Sequence, residues 1–164
     1  MRWVMTVLLT AVISLAARAE DPFKNPGSVL LGPANIDLAM GSQALKAGNY
    51  DEGIERTLVG LNDKMISDAD RASGLSNLCA GYAAKQLPDT AVRYCTQSLA
   101  IDDQNWHAYS NRSYAYWIMG RYSEAQQDLD IASDLNPRAR QVAKIRGMLN
   151  LVQLRPSVFM EDLQ

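Results

Sequence analysis

Apolar side chains recur every three or four residues along most of this chain, from near residue 33 to about residue 155. This spacing is typical of amphipathic α-helices that bury one face. Corners such as Gly48-Asn49-Tyr50 and Leu87-Pro88-Asp89 interrupt the pattern, so it predicts seven helices rather than one long helix. Pro33 suits the first turn of the first helix. The sequence therefore predicts an all-α fold.

The helices are expected to come in pairs that repeat with a period of 34 residues. The pairs occupy residues 34–67, 72–105 and 106–139, and a four-residue insert, 68–71, separates the first from the second. One helix pair cannot bury its apolar stripe alone, so about three stacked units are needed for stability. A last helix at 140–155, with an apolar stripe and a basic outer face, is expected to cap the array. Residues 156–164 form a short tail.

The third unit resembles the tetratricopeptide-repeat (TPR) family. It has small residues, aromatic residues and a proline where the family pattern has them: Ser113, Tyr116, Gly120, Tyr122, Ala125, Leu129, Ala132 and Pro137. It departs from the pattern at Tyr109, where tryptophan is usual, and at Arg112, where an apolar residue is common. The second unit keeps part of the pattern, and the first keeps the least. The resemblance implies a TPR-type helical repeat (α-solenoid) of three helix pairs plus a C-terminal capping helix.

Two glycines, Gly53 and Gly60, lie inside the predicted second helix. Each costs a helix up to about 1 kcal/mol relative to alanine. We expect a packing reason for them, such as a close approach of two helices.

The resemblance also implies where a partner would bind. In TPR proteins the first helix of each pair lines a concave groove, and family members often use an asparagine there to hydrogen-bond the main chain of an extended peptide. Asn77 and Asn111 take equivalent positions in units two and three, each directly after a serine, Ser76 and Ser110. An amide suits this task because it donates and accepts hydrogen bonds at once. The alternative is that asparagine is simply the family's ordinary residue at this position.

Three further side chains fall on the predicted groove face of unit three. Tyr114 and Trp117 are candidate anchors for a partner, because aromatic residues supply much of the binding energy at protein interfaces. The alternative is that the capping helix or the N-terminal lead-in covers them. His107 is a candidate hydrogen-bond donor, although a solvated first-turn histidine is the favoured interpretation.

The chain offers little for catalysis. It has one histidine, no nucleophile with a nearby base in the pattern, no glycine-rich phosphate loop and no metal-ligand cluster, so we expect no enzymatic activity, cofactor or metal. Asp102-Asp103, Asp128 and Asp130 are interpreted as solvated helix ends and faces. Lys46 is the only basic residue among the predicted groove positions, which disfavours the carboxylate clamp of chaperone-docking relatives.

Length and charge indicate the number of domains and the kinds of partner to expect. The 164 residues have room for one domain. With a formal net charge of −2 and no basic face, nucleic acid is not an expected partner.

Residues 1–19 have the three regions of a secretory signal peptide, ending in a small-residue cleavage site at Ala17-Arg18-Ala19. An uncleaved anchor is disfavoured because the apolar run falls short of the about 20 residues that a span needs. We expect cleavage after Ala19, an extended lead-in over 20–33, a periplasmic or secreted location, and no stable membrane anchor after cleavage.

The chain has two cysteines, Cys79 and Cys95. An even pair in an oxidising compartment indicates a disulfide. In TPR units their two positions face each other across the helix pair, which makes the bond sterically reasonable. The alternative is two free, buried cysteines that act as small apolar residues.

The leading hypothesis is a non-catalytic exported scaffold that binds an extended peptide or a protein partner in its concave groove. A cell-envelope assembly is its expected setting. The alternative is a structural subunit that acts by self-association or end-on docking, so oligomerisation is compatible with the sequence.

Overall fold

The computed structural model describes residues 35–153. This part contains seven helices: α1 (Ile36–Lys46), α2 (Tyr50–Leu61), α3 (Asp68–Ala84), α4 (Pro88–Ile101), α5 (Trp106–Ile118), α6 (Tyr122–Leu135) and α7 (Arg140–Gln153). Residues 35–153 form no strand, and the predicted all-α class is confirmed. The predicted signal peptide (1–19), lead-in (20–33) and tail (156–164) lie outside the described residues.

A side-chain cap fixes the start of α1. The Asn35 side-chain oxygen accepts hydrogen bonds from the backbone N–H groups of Asp37 and Leu38, at 3.0 and 3.1 Å. Asn35 itself has an extended backbone, as a capping residue does. The first helix therefore begins at Ile36, and Pro33, which was expected in its first turn, lies outside the described residues.

The corner inside each pair turns through one residue with a positive φ. These residues are Gly48 (85°), Gln86 (59°) and Gly120 (72°). Glycine adopts this conformation freely, whereas a residue with a side chain pays roughly 1–2 kcal/mol. The second corner is therefore the strained one of the three.

The helices stack in two rows. The backbones of successive odd-numbered helices approach one another closely, whereas those of successive even-numbered helices within the described range do not. When one row of helices is packed more closely than the other, the array curves toward the closely packed row. The first helix of each pair therefore lies on the concave side, and the predicted TPR-type solenoid is confirmed.

Gly53 and Gly60 lie where α1 and α2 approach closely. A Cβ atom added at Gly53 would lie 2.5 Å from Leu45 Cγ, and one at Gly60 would lie 2.7 Å from Leu38 Cγ. Both leucines are almost completely buried. The expected packing reason for the two glycines is confirmed.

Cys79 of α3 and Cys95 of α4 form a disulfide. Their Cα atoms are 5.2 Å apart, within the range that a disulfide spans, and both residues are fully buried. The predicted disulfide is confirmed. It joins the two helices of the second pair.

Helix α7 packs on α5 and α6 through its apolar stripe, which buries Val142, Ile145 and Leu149. Gly147 takes the position in α7 that Ser113 takes in α5, 34 residues earlier. Ser113 donates a hydrogen bond to the Ala125 carbonyl of α6 at 2.6 Å, but a Cβ atom at Gly147 would have nothing within 4 Å. Helix α7 thus docks as the first helix of a further pair would.

Candidate functional site

The predicted groove residues lie on two neighbouring helices of the concave side. Ser76 and Asn77 belong to α3, and the other five belong to α5: His107, Ser110, Asn111, Tyr114 and Trp117. All are buried except Trp117, which is half-buried. Because α3 and α5 contact each other, these residues lie side by side in the inner row of helices. We call this set, together with Ser42 of α1 and Gln141 of α7, the inner groove.

Three serines of the inner groove have a buried hydroxyl that meets no hydrogen-bond partner among the described residues: Ser42, Ser76 and Ser110. A helical serine or threonine can donate its hydroxyl to the carbonyl four residues earlier. Thr57 and Ser73 do so, at 2.6 and 2.8 Å. The three groove serines do not, so each keeps an unused donor and acceptor.

Asn111 links three consecutive inner helices. Its Nδ2 donates to the Ser76 carbonyl of α3 at 3.3 Å, and its Oδ1 accepts from Gln141 Nε2 of α7 at 2.8 Å. This bridging role is structural and was not predicted. Asn77 is 1% exposed on α3. Contact of either asparagine with the main chain of a partner stays a prediction.

Tyr114 and Trp117 form the aromatic part of the inner groove. Their rings stack, with centroids 6.1 Å apart and planes 16° apart. Tyr114 is only 6% exposed, so the pair is not an open aromatic patch. Trp117 Nε1 is buried and lacks an acceptor within residues 35–153, although buried indole N–H groups usually find one.

His107 is buried at the start of α5, with 9% of its surface exposed. Its ring stacks on that of Trp106, with the centroids 3.6 Å apart. The interpretation of His107 as a solvated first-turn residue is therefore wrong. Burial, and then the positive charge of Lys46, lowers the pKa of His107 from 6.5 to about 4. The imidazole is uncharged at neutral pH, and its Nδ1 has no partner in the described part of the chain.

The buried polar side-chain atoms that lack a partner share one location. They are Ser42 Oγ, Ser76 Oγ, His107 Nδ1, Ser110 Oγ, Trp117 Nε1 and Gln141 Oε1. All six belong to odd-numbered helices, and none of the described atoms of α2, α4 or α6 joins them. Buried polar groups in native proteins are normally hydrogen-bonded. A set confined to one surface marks that surface as a place where further hydrogen bonds can form.

Gln141 was not among the predicted site residues. It lies 34 residues after His107 and takes the same position in α7 that His107 takes in α5. Continuing the repeat register into the capping helix would have identified it.

Asp128 is not on a solvated face, so that interpretation is wrong. Its side chain is 7% exposed and forms a two-pronged ion pair with Arg112, at 2.7 and 2.8 Å. Arg112 also donates to Thr96 Oγ1 at 3.2 Å and lies near the rings of Tyr109 and Tyr116. Arg112, which departs from the family pattern, therefore pairs with a residue of the same unit.

Within residues 35–153, no three His, Cys, Asp or Glu side chains are grouped so that they could hold a metal ion. None of the described helices combines the length and apolar character that crossing a membrane requires.

No family model matches the chain. Among curated proteins it is similar to DnaJ homolog subfamily C member 3 of Bos taurus, 26% identical over 106 residues that cover 61% of this chain and 20% of that protein. It is also similar to a FAM10 family protein of Arabidopsis thaliana, 29% identical over 94 residues, 57% of this chain and 20% of that one. The chain thus spans about a fifth of the length of these relatives.

Solved structures show the same architecture. The first TPR domain of human RPAP3 covers 79% of this chain and 95% of its own length, with a TM-score of 0.63 and 19% identity. The second TPR domain of human RPAP3, in complex with the HSP70 peptide SGPTIEEVD, covers 70% and 92%, with a TM-score of 0.57 and 24% identity. The first TPR of Spaghetti (RPAP3), bound to the HSP90 peptide SRMEEVD, covers 70% and 88%, with a TM-score of 0.59 and 20% identity. At these identities the likeness shows the fold.

Proposed function

Because its fold is that of the tetratricopeptide repeats, we propose that this chain is a non-catalytic scaffold that binds a protein or peptide partner. An extended segment of the partner lies along the inner groove. Two structural neighbours hold a peptide, from HSP70 and from HSP90, which supports a peptide as the kind of ligand.

The observation that carries the proposal is the set of six unpartnered polar atoms on odd-numbered helices. An extended main chain presents one N–H and one C=O group per residue, so it can supply partners for a row of hydroxyls, an imidazole, an indole and an amide. A buried polar group left unpaired costs about 1–3 kcal/mol. Pairing several of them would favour the bound state over the free one.

The atoms of this set are shielded from solvent. A ligand therefore reaches them only when the side chains above them move. Binding that requires such a rearrangement is slower than a typical protein association, which proceeds at about 10⁵–10⁷ M⁻¹s⁻¹. We expect slow association as a signature of this site.

The test uses peptides of about ten residues, roughly 33 Å long when extended, selected on the full chain from a randomised library. Their affinities are then compared for the wild-type chain and for the double variant Ser76→Ala, Ser110→Ala. Removing two hydroxyls that bond the ligand should weaken binding by about tenfold or more. The matched control is Ser123→Ala, at an exposed position of α6, which should leave the affinity unchanged.

The double serine variant is preferred to Asn77→Ala with Asn111→Ala. Asn111 also bridges α3 and α7, so its loss would disturb the stack as well as the ligand. If the serine variant binds the selected peptides as tightly as the wild-type chain, the inner groove is not the binding site.

The proposal places the mature protein outside the cytoplasm, in a periplasmic or secreted location and with a cell-envelope assembly as the setting. The sequence features of residues 1–19 support this, as does a disulfide, which persists mainly in oxidising compartments. N-terminal sequencing of the protein from its native source should begin at Glu20. Recovery from the cytoplasm with Met1 retained would contradict the assignment.

A second candidate is a structural subunit that self-associates or docks end-on. It is favoured by the exposure of Ile36 and Met40, 73% and 39%, one turn apart on α1. Light scattering during size-exclusion chromatography separates the candidates. An oligomer that dissociates on dilution and is lost in the Ile36→Ser, Met40→Ser variant would support the second one.

A further inference from the structure

The hydrogen-bonding character of the unpartnered atoms restricts the chemistry of the ligand. Trp117 Nε1 can only donate and Gln141 Oε1 can only accept, whereas the serine hydroxyls can do both. A carboxylate or a phosphate only accepts, so it would leave Gln141 Oε1 unpaired. An ammonium group only donates, so it would leave Trp117 Nε1 unpaired. A secondary amide donates and accepts, and it suits the whole set.

The charge of the inner groove points the same way. Its buried polar side chains are serines, asparagines and His107, and the imidazole is uncharged at neutral pH because its pKa is lowered to about 4. An ionised ligand group beside them would lose its water without gaining an opposite charge. Uncharged ligand groups avoid this penalty.

Lys46 ends α1, is half-buried, and lies close enough to His107 to lower the pKa of that imidazole. Lys144 is a second cation near this region, because it takes the position in α7 that Ser110 takes in α5, 34 residues earlier. The buried carboxylate of Asp128 is already paired with Arg112. A lysine ammonium is a point charge and lacks the two-pronged geometry with which arginine recognises a carboxylate.

We propose that the inner groove binds an internal, uncharged stretch of extended polypeptide and discriminates against acidic segments and free C-terminal carboxylates. This inference rests on the proposed function and names its ligand class. It separates this chain from the neighbours that hold SGPTIEEVD and SRMEEVD, which are acidic peptides ending in aspartate.

The experiment is affinity selection on the immobilised full chain, with retained peptides quantified by mass spectrometry. The first probe is a pool of N-acetylated, C-amidated peptides of about ten uncharged residues. The second pool has the same sequences with free C-terminal carboxylates, and the third probe is SRMEEVD. We expect the amidated pool to be retained about tenfold more than either of the others.

The variant Lys46→Ala provides a second, independent measurement. Lys46 is partly exposed at the end of its helix, so its replacement should not prevent folding. Retention of the amidated pool should change by less than about twofold, since a ligand without charge does not need this cation.

Two outcomes overturn the inference while leaving the proposed function intact. One is equal or stronger retention of the free-acid pool or of SRMEEVD. The other is loss of peptide binding in Lys46→Ala. Failure of the chain to retain any of the three probes contradicts the proposed function itself, and the inference with it.

Discussion

Arg112 and Asp128 show how a charged pair can replace an apolar contact inside one repeat. The guanidinium makes two hydrogen bonds to the carboxylate, and the two side chains are 18% and 7% exposed. A buried pair of this kind contributes little relative to an apolar pair, but removing one member leaves a buried charge without a partner.

Asp128→Ala is therefore expected to lower the free energy of unfolding by about 3 kcal/mol, measured by urea denaturation. The double variant Arg112→Met, Asp128→Leu should recover most of that loss. Glu124→Gln is the control, because its ion pair with Arg121 lies on the surface, and its unfolding midpoint should match the wild type. A double variant no more stable than Asp128→Ala would show that the pair itself is required.

The buried imidazole of His107 predicts a dependence of stability on pH. Its folded-state pKa of about 4 lies below the unfolded value of 6.5, so the unfolded chain takes up the proton first as the pH falls. Stability is complete above pH 6.5 and decreases toward pH 4, by up to about 3 kcal/mol. Denaturation of His107→Gln over the same range should show a shallower decline; equal slopes for the two proteins would contradict the assignment.

Helices α1 and α2 of the first pair approach each other closely because glycines, which have no side chain, lie between them. A Cβ atom at Gly41 would lie 2.9 Å from both the Gly53 carbonyl oxygen and the Thr57 backbone nitrogen. Backbone atoms cannot yield as a flexible side chain can, so α1 and α2 would have to separate.

Gly41→Ala is expected to destabilise the protein by about 2 kcal/mol. Gly147→Ala is the matched control, because its Cβ would meet nothing within 4 Å. That variant should gain up to about 1 kcal/mol from the higher helix propensity of alanine. Thermal unfolding followed by circular dichroism compares the two, and equal shifts in the same direction would show that helix propensity, not close packing, decides both.

The elements also show what the sequence could predict. The sequence predicts the helices and their 34-residue period from the spacing of apolar residues. It predicts the corners from residues such as Gly48 and Gly120. The Arg112–Asp128 pair and the bridge through Asn111 were not predictable, because they depend on side-chain conformations between helices. The inner-groove residues of α3 and α5 followed from the repeat register, but their burial and missing partners became visible only in the packed array.

The cross-linked second pair lies in the middle of the array, where α3 contacts α1, α2, α4 and α5. The bonded cysteines are 16 residues apart in sequence, and closing a loop of this length contributes roughly 3 kcal/mol in the entropy model.

Reduction should therefore lower the midpoint of thermal unfolding of the whole molecule by about 10 °C. The sequence has two cysteines in total, so a reducing agent acts on this bond alone, and Cys79→Ser with Cys95→Ser should behave like the reduced wild type. An unchanged midpoint would mean that the bond adds nothing to a pair already held by packing.

The separation of the outer helices has a mechanical consequence. Because the backbones of α2, α4 and α6 do not approach one another as closely as those of the inner helices, bending of the array disturbs fewer contacts in the outer row than in the inner row. Bending alters the spacing of the inner helices, and with it the width available to a bound segment. The covalent bond stiffens the second pair, so elastic deformation is expected to concentrate at the junctions on either side of it.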